Sequence, residues 1–231
     1  MNERKPLGKR SYGSIGHLPN SRLGEGDHKI TDGQARIATE KTRDKNDVII
    51  IQEKLDGSNV GIAKINNEII PLTRAGYVAN TSPFKMHHVF YDWVLKYKYR
   101  YTDLLEEGER LCGEWLLIAH GTRYRLLHEP FVAFDLMKGN DRRIYTDFTW
   151  RVQRFGFTVP NLISYGKPLC VSDVMGRLEL SGHGALDPVE GAVWRVERNE
   201  KVDFLCKYVR PDKVDGIYLD QDLENEILVK W

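Results

Sequence analysis

The feature that most limits how this chain can fold is a series of short β-branched and aromatic runs, each cut off by turn residues. Val48 to Gln52, Asn59 to Ile65, Ile69 to Thr73, Leu111 to Ile118, Phe131 to Met137, Gly191 to Val196 and Val202 to Val209 have the lengths and residue types of strands. Three stretches carry helical periodicity instead: Phe84 to Leu105, Thr146 to Phe155, and Ser172 to Leu180 with Ser172 placed to cap its first turn. Helices inserted irregularly among strands do not make the regular alternation of a doubly wound sheet. The expected class is α+β, built on antiparallel sheets with inserted helices.

With 231 residues, 41% of them apolar, the chain is long enough for one large core or two small ones. It reads as one domain over 1–231, with a motif-bearing core at 46–210. Glycines and a proline between Gly8 and Gly33 make residues 1–45 an irregular basic arm with little regular structure before Val48. Residues 211–231 form an acidic extension. Lys and Arg number 34 against 33 Asp and Glu, so the formal charge is +1 and neither end is a simple charge block. Cys112, Cys170 and Cys206 are odd in number, far apart and without a CxxC pair, which supports neither a disulfide framework nor a thiolate zinc site. His87, His88, His120 and His128 make no convincing ligand set, and no zinc is assigned. No apolar run approaches the roughly 18 residues of a membrane helix, and Met1 to Arg10 is too polar for a secretory signal. A cytoplasmic protein with no membrane partner is expected.

Several strands carry a charge where the alternation calls for an apolar residue. Glu114 shares a face with Cys112, Leu116 and Ile118; Lys207 shares one with Leu205 and Val209; Glu190 starts the face of Ala192, Trp194 and Val196. Such charges either point to water from edge strands or mark a site, since a charge on a buried face is costly unless paired or liganded. Three strands with the same irregularity favour a site. The sharpest local feature is Glu53-Lys54-Leu55-Asp56-Gly57-Ser58-Asn59, directly after the apolar run Val48 to Ile51. It reads either as a hairpin turn at Asp56-Gly57 or as a lysine held by a tight turn at a strand end, which suits a nucleophile that must meet its electrophile in fixed geometry.

Read in order, Lys54-Leu55-Asp56-Gly57, Thr73-Arg74-Ala75-Gly76, Gly113-Glu114-Trp115, Phe131-Val132-Ala133-Phe134-Asp135, Glu190-Gly191-Ala192-Val193 and Cys206-Lys207 resemble the motif series of the covalent nucleotidyltransferases. Glu53 to Asn59 and Ala119-His120-Gly121-Thr122-Arg123-Tyr124 are most similar to the nick-sealing branch of the ATP-dependent RNA ligases. The resemblance implies an antiparallel-sheet adenylylation domain and three steps. Lys54 attacks the α-phosphate of ATP and releases pyrophosphate; the AMP moves to a 5′-phosphate; a ribose 3′-hydroxyl attacks that activated end and AMP leaves. The substrate implied is a pair of RNA ends, nicked or single-stranded, joined by a monomer in the service of RNA repair. An ordinary lysine pKa near 10.4 leaves on the order of one part in a thousand or fewer as free amine at pH 7, so Mg²⁺, with Mn²⁺ as a substitute, and a second cation are expected beside the nucleophile.

By the same resemblance Lys54, Lys207 and Glu190 are catalytic, with Glu190 organising the metal and Lys207 contacting the α-phosphate. Glu53, Asp56, Gly57, Arg74, Glu114, Phe134, Glu190 and Lys207 form the nucleotide-binding set. Within it Phe134 stacks on adenine, Glu114 accepts from the ribose and Arg74 holds ribose or 5′-phosphate. From the residues alone, Phe134 also reads as core and Arg74 as a surface turn. Two departures stand out. Leu205 occupies a position where the family often has a further lysine, with Arg210 or Lys213 as replacements. Only 24 residues follow Lys207, so no C-terminal OB domain is expected and nucleic-acid binding rests on the catalytic domain. Candidates for that grip are Lys96 to Tyr101, the arm from Arg4 to Arg22 with His17, and Arg123 with Arg125. The first reads more readily as an amphipathic helix with solvated cations than as a single-strand groove. A DNA ligase or a GTP-using capping-type enzyme is the alternative; a binding module without catalysis is disfavoured by the intact set of Lys54, Glu114, Glu190 and Lys207.

Overall fold

A computed structural model describes residues 5–178 and 181–218. They divide into two compact units, each holding one five-stranded sheet, and the class is α+β as expected. One unit takes in 14–57, 119–128 and the described residues from 160 onward. Its sheet runs β1 (Gly16–His17), β10 (Lys201–Val209), β9 (Gly191–Arg198), β2 (Asp47–Lys54), β8 (Leu162–Gly166), antiparallel except for the parallel β1–β10 edge. Ile51 lies opposite Trp194 and Trp194 opposite Cys206, so the three share a face. That face is buried with Ile49 and Val196 against Ala35 and Ala38 of α1 (Asp32–Thr39) and Val174 of α5 (Val171–Arg177). Burying each Ile or Val of this face contributes about 1.5–3 kcal/mol. The same alternation sends Lys54, Gln52, Val193 and Lys207 to the other face.

The second unit takes in residues 5–13, 58–118 and 129–159. Its sheet is antiparallel in the order β4 (Glu68–Thr73), β3 (Ser58–Ile65), β5 (Glu109–Trp115), β6 (Phe131–Lys138), β7 (Asp141–Arg142). An aromatic core covers one face, where Trp93 and Phe90 of α2 (Lys85–Lys96) lie 5.2 and 5.3 Å from Trp115, ring centre to ring centre. Tyr101 of α3 (Lys98–Leu104) and Phe148 and Val152 of α4 (Tyr145–Arg154) are also buried.

All seven expected strands are present, and the departures have physical reasons. The helix expected over Phe84 to Leu105 breaks at Tyr97, whose N–H turns back to Trp93 and Leu95; the break puts Tyr101 in the core and leaves Tyr99 outside. The helix expected from Ser172 starts at Val171 with Cys170 at the cap position, so Ser172 lies inside the first turn and does not cap it. The arm is not irregular throughout. It contains β1 and α1, the latter closed by a capping box in which Thr31 Oγ1 accepts from the Gln34 N–H and the Gln34 side chain accepts from the Thr31 N–H. Asp56-Gly57 is no hairpin, since β2 and β3 belong to different sheets. Leu180, Arg4 and the acidic extension from residue 219 lie outside the described residues. Among the described residues no helix is long and apolar enough to cross a membrane.

Candidate functional site

Lys54 is the last residue of β2 and lies opposite Gly191, the first of β9. A Cβ at Gly191 would come 1.9 Å from the Tyr208 carbonyl oxygen. Only glycine therefore lets β9 start against β10 immediately after Glu190. Glu190 is 7% exposed and its Oε2 accepts a 2.6 Å hydrogen bond from Lys54 Nζ. Burial pushes the Glu190 carboxyl above its usual range, while Lys54 pulls the other way. Removing one partner of such a pair leaves the other charge buried and unpaired, a loss of about 3–5 kcal/mol in comparable cases.

The turn after Lys54 is clamped from two other segments. The Asp56 N–H donates to the Tyr124 hydroxyl at 3.0 Å, and Asp56 Oδ2 accepts from the Gly121 N–H at 2.9 Å and from Lys213 Nζ. Lys213, 4% exposed, also donates to Thr122 Oγ1 at 2.6 Å. A Cβ at Gly121 would lie 2.4 Å from the Val214 carbonyl oxygen, so glycine is required at this crossing. His120 is held below its ordinary pKa by burial, with Asp56 opposing and Lys213 and Lys54 adding to the effect. Gly57 lies at a bend directly before β3.

Glu53 lies opposite Ala192 on the apolar face, so its side chain points away from that of Lys54. Its carboxylate is 2% exposed and accepts from the Ser181 hydroxyl and the Gly182 N–H, while burial raises its pKa against both bonds. The side chain expected to serve the nucleotide thus anchors the loop at 181–184. The next residue of that loop, His183, accepts the Asn161 N–H on Nε2, which leaves Nδ1–H to donate to His128 Nε2 at 2.9 Å. Burial, with His128 beside it, lowers the His183 pKa to about 4.

Lys207 sits in β10 on the Lys54 face, its Nζ 3.6 Å from Asp27 Oδ1. Of the two replacements considered for the lysine absent at Leu205, Arg210 pairs with the exposed Asp212, whereas Lys213 is bonded to Asp56 of the turn.

Arg74, Glu114 and Phe134 belong to the other unit. In the β5–β6 ladder Cys112 faces Asp135 and Gly113 faces Ala133, which leaves Phe134 unmatched at a bulge. Its ring is half-buried and meets Tyr12 edge-on with centres 5.0 Å apart. Asp135 beside it is fully buried, bound by Arg142 Nε at 2.7 Å and the Tyr12 hydroxyl at 3.3 Å. Glu114 is half-buried in β5, opposite Asn59 and Val132. Arg74 is an exposed turn residue whose carbonyl accepts from the Ser11 and Tyr12 N–H groups. The turn is tight against the arm: Gly76 has φ +89°, and a Cβ there would meet the Lys9 carbonyl oxygen at 2.1 Å.

The stretch Lys96 to Tyr101 does not form one face. Lys96, Lys98 and Tyr99 are exposed, Arg100 donates twice to Glu129 at 2.8 Å, and Tyr101 is buried. Arg123 is paired with Asp187, whose carboxyl it holds down at about 2, and Arg125 is exposed. Sequence reasoning gave no role to Tyr124, Tyr12 or Asp27, and named Lys213 only as a replacement for a missing lysine.

A protein-family model described as RNA ligase matches residues 47–209. No curated protein matches the chain. Among solved structures, a Naegleria gruberi RNA ligase mutant with AMP and Mn is similar with a TM-score of 0.55 and 11% identity, over 87% of this chain and 61% of that one. A putative ATP-dependent DNA ligase from Aquifex aeolicus is similar with a TM-score of 0.54 and 16% identity, over 86% of this chain and 49% of that one. At these identities the likeness is one of fold, and this chain spans about half the length of the longer relative.

Proposed function

Because the chain belongs to the RNA ligase family, we propose that it is an ATP-dependent RNA ligase that joins a 3′-hydroxyl to a 5′-phosphate through an AMP carried on Lys54. The observation that carries this reading is the pairing of Lys54 Nζ with Glu190 Oε2 at 2.6 Å. An ammonium cannot attack phosphorus. The carboxylate in reach holds Nζ in place, and cations beside it favour the free amine the attack requires. The amine then bonds to the α-phosphorus as the bond to pyrophosphate breaks. Transfer to a 5′-phosphate breaks the N–P bond and returns the lysine; attack by the 3′-hydroxyl expels AMP. Asp56 and Gly57 hold the turn that fixes Nζ, and Lys207 on the same face neutralises phosphate charge. Phe134, Glu114 and Arg74 keep the roles the resemblance gives them on adenine, ribose and phosphate.

Magnesium, or manganese, fits this donor set in a particular way. Among the described residues no group of three or more His, Cys, Asp or Glu is arranged to hold a metal alone. Mg²⁺ is commonly held by one or two carboxylates together with substrate phosphates and water, and Glu190 supplies one such carboxylate. When bound, the ion would screen phosphate charge and favour the free amine. The reading extends to a cytoplasmic monomer acting in RNA repair, where unbridged thiols such as Cys112, Cys170 and Cys206 are at home.

The test is a joining assay with ATP and Mg²⁺ on nicked duplexes and on single-stranded ends, each with a ribose or deoxyribose 3′ terminus. Sealing that requires the ribose terminus is expected. Equal sealing of all-DNA nicks would make this a DNA ligase, and covalent labelling from GTP in place of ATP would make it a capping-type enzyme.

A further inference from the structure

We propose that Asp27, itself held by His17, is a positioning residue that aims Lys207, a role that rests on the reading of Lys207 as the phosphate-contacting lysine. The segment from Gly16 to Arg22 follows β10 on both sides of Lys207. Gly16 lies opposite Cys206 and His17 opposite Lys207; the Leu18 N–H donates to the Lys207 carbonyl at 2.8 Å and the Arg22 N–H to that of Val209 at 3.0 Å. The chain then loops back so that residues 28–30 run beside 16–17, with the His17 N–H on the His28 carbonyl at 2.8 Å and the Ile30 N–H on that of His17 at 3.0 Å. A Cβ at Gly16 would come 2.6 Å from the Ile30 side chain, so glycine is what permits this approach. The return brings Asp27 over the lysine.

The side chains form one row of close polar contacts from β10 to Asp27. The Val209 N–H donates to Ser21 Oγ at 2.9 Å, and Ser21 Oγ meets His17 Nδ1 at 2.7 Å. His17 Nε2 meets Asp27 Oδ2 at 2.9 Å, and the Gly24 N–H reaches the same oxygen at 2.9 Å. His17 Nδ1 shares a hydrogen bond with Ser21, and Nε2 stands beside the carboxylate without meeting hydrogen-bond angles. His17 is 1% exposed, and burial together with Lys207 holds it below its ordinary pKa, which keeps it neutral. Burial would raise Asp27, but the Gly24 N–H, Lys207 and His17 outweigh it and keep the carboxylate ionised. With Oδ2 occupied, Oδ1 faces Lys207 Nζ at 3.6 Å. That separation directs a flexible four-carbon side chain without closing a tight bond that a phosphate would have to break.

A double-mutant cycle separates positioning from mere support of the fold. Adenylylation from labelled ATP is followed in single turnover for wild type, Asp27→Asn, Lys207→Ala and the double variant, below the melting temperature of all four. Asp27→Asn is expected to slow labelling at saturating ATP by about tenfold, the scale of a displaced catalytic contact, while the half-saturating ATP concentration stays put. In the Lys207→Ala background the same substitution should change nothing. His17→Ala, tested the same way, should repeat the pattern from the far side of Asp27 and covers the case in which Asp27→Asn does not fold. Equal slowing in both backgrounds, or none in either, overturns the proposal. Should Lys207→Ala label at the wild-type rate while Lys54→Ala does not label, the proposal falls with the role of Lys207, and the ligase reading stands. If wild type itself takes no label, that reading falls too.

Discussion

At the scale of single residues, Phe134 is where a binding role and a core role can be told apart by experiment. The bulge in β6 takes it out of the ladder, its ring is half-buried, and it packs with Tyr12 in an edge-to-face pair. Phe134→Leu keeps the apolar bulk and loses the aromatic face. The ATP concentration for half-maximal labelling should rise by the equivalent of about 1–3 kcal/mol, with the melting temperature within a few degrees of wild type. A lower melting temperature with unchanged ATP dependence would make Phe134 plain core. Glu190 and Lys207 were singled out because each interrupts an apolar strand pattern, and Lys54 because it ends an apolar run at a tight turn. Glu53 was read together with Lys54, yet neighbours on a strand point to opposite faces, and its carboxylate serves the loop at 181–184. Lys213 and Asp56 are 157 residues apart and Arg142 and Tyr12 meet across a similar gap, so no local pattern carries such partners.

At the scale of elements, the loop behind Glu53 makes the fold sensitive to acid. His183 titrates near 6.5 in the unfolded chain and near 4 in the fold, because burial and His128 disfavour its charged form. Between those values the unfolded chain binds a proton that the fold excludes. Its contribution, at most about 3 kcal/mol, is therefore complete above pH 6.5 and lost as the pH falls toward 4. His17 and His120 shift in the same direction, whereas the raised carboxyls of Glu53 and Glu190 oppose it. The comparison with His183→Gln isolates the histidine: thermal melts from pH 7.5 to 5 should fall less steeply for the variant. Parallel curves would show that His183 is not the group responsible. Strands were the most legible elements, because one-sided burial writes a period of two into the residues. Helix α1 was missed because its buried stripe is only Ala35 and Ala38, although Thr31 and Gln34 carried the capping-box signal. The break at Tyr97 was hidden because aromatic residues continue through it without glycine or proline.

At the scale of the whole molecule, the class was legible and the division into two units was not. Each unit is assembled from three stretches of chain, so a linear reading sees one continuous core. The motifs follow one another in sequence while passing from one sheet to the other and back: Lys54 and Lys207 stand on one, with Glu190 directly before its strand β9, and Glu114 and Phe134 stand on the other. What joins these observations is the claim that Lys54 carries AMP. The direct measurement is to incubate the protein with ATP and Mg²⁺ without nucleic acid, weigh the intact chain, and map the modified peptide. A mass gain of one adenylyl group located on Lys54, absent from a folded Lys54→Ala variant, is the result predicted. An adenylyl group on another residue, or the same gain in Lys54→Ala, would contradict it.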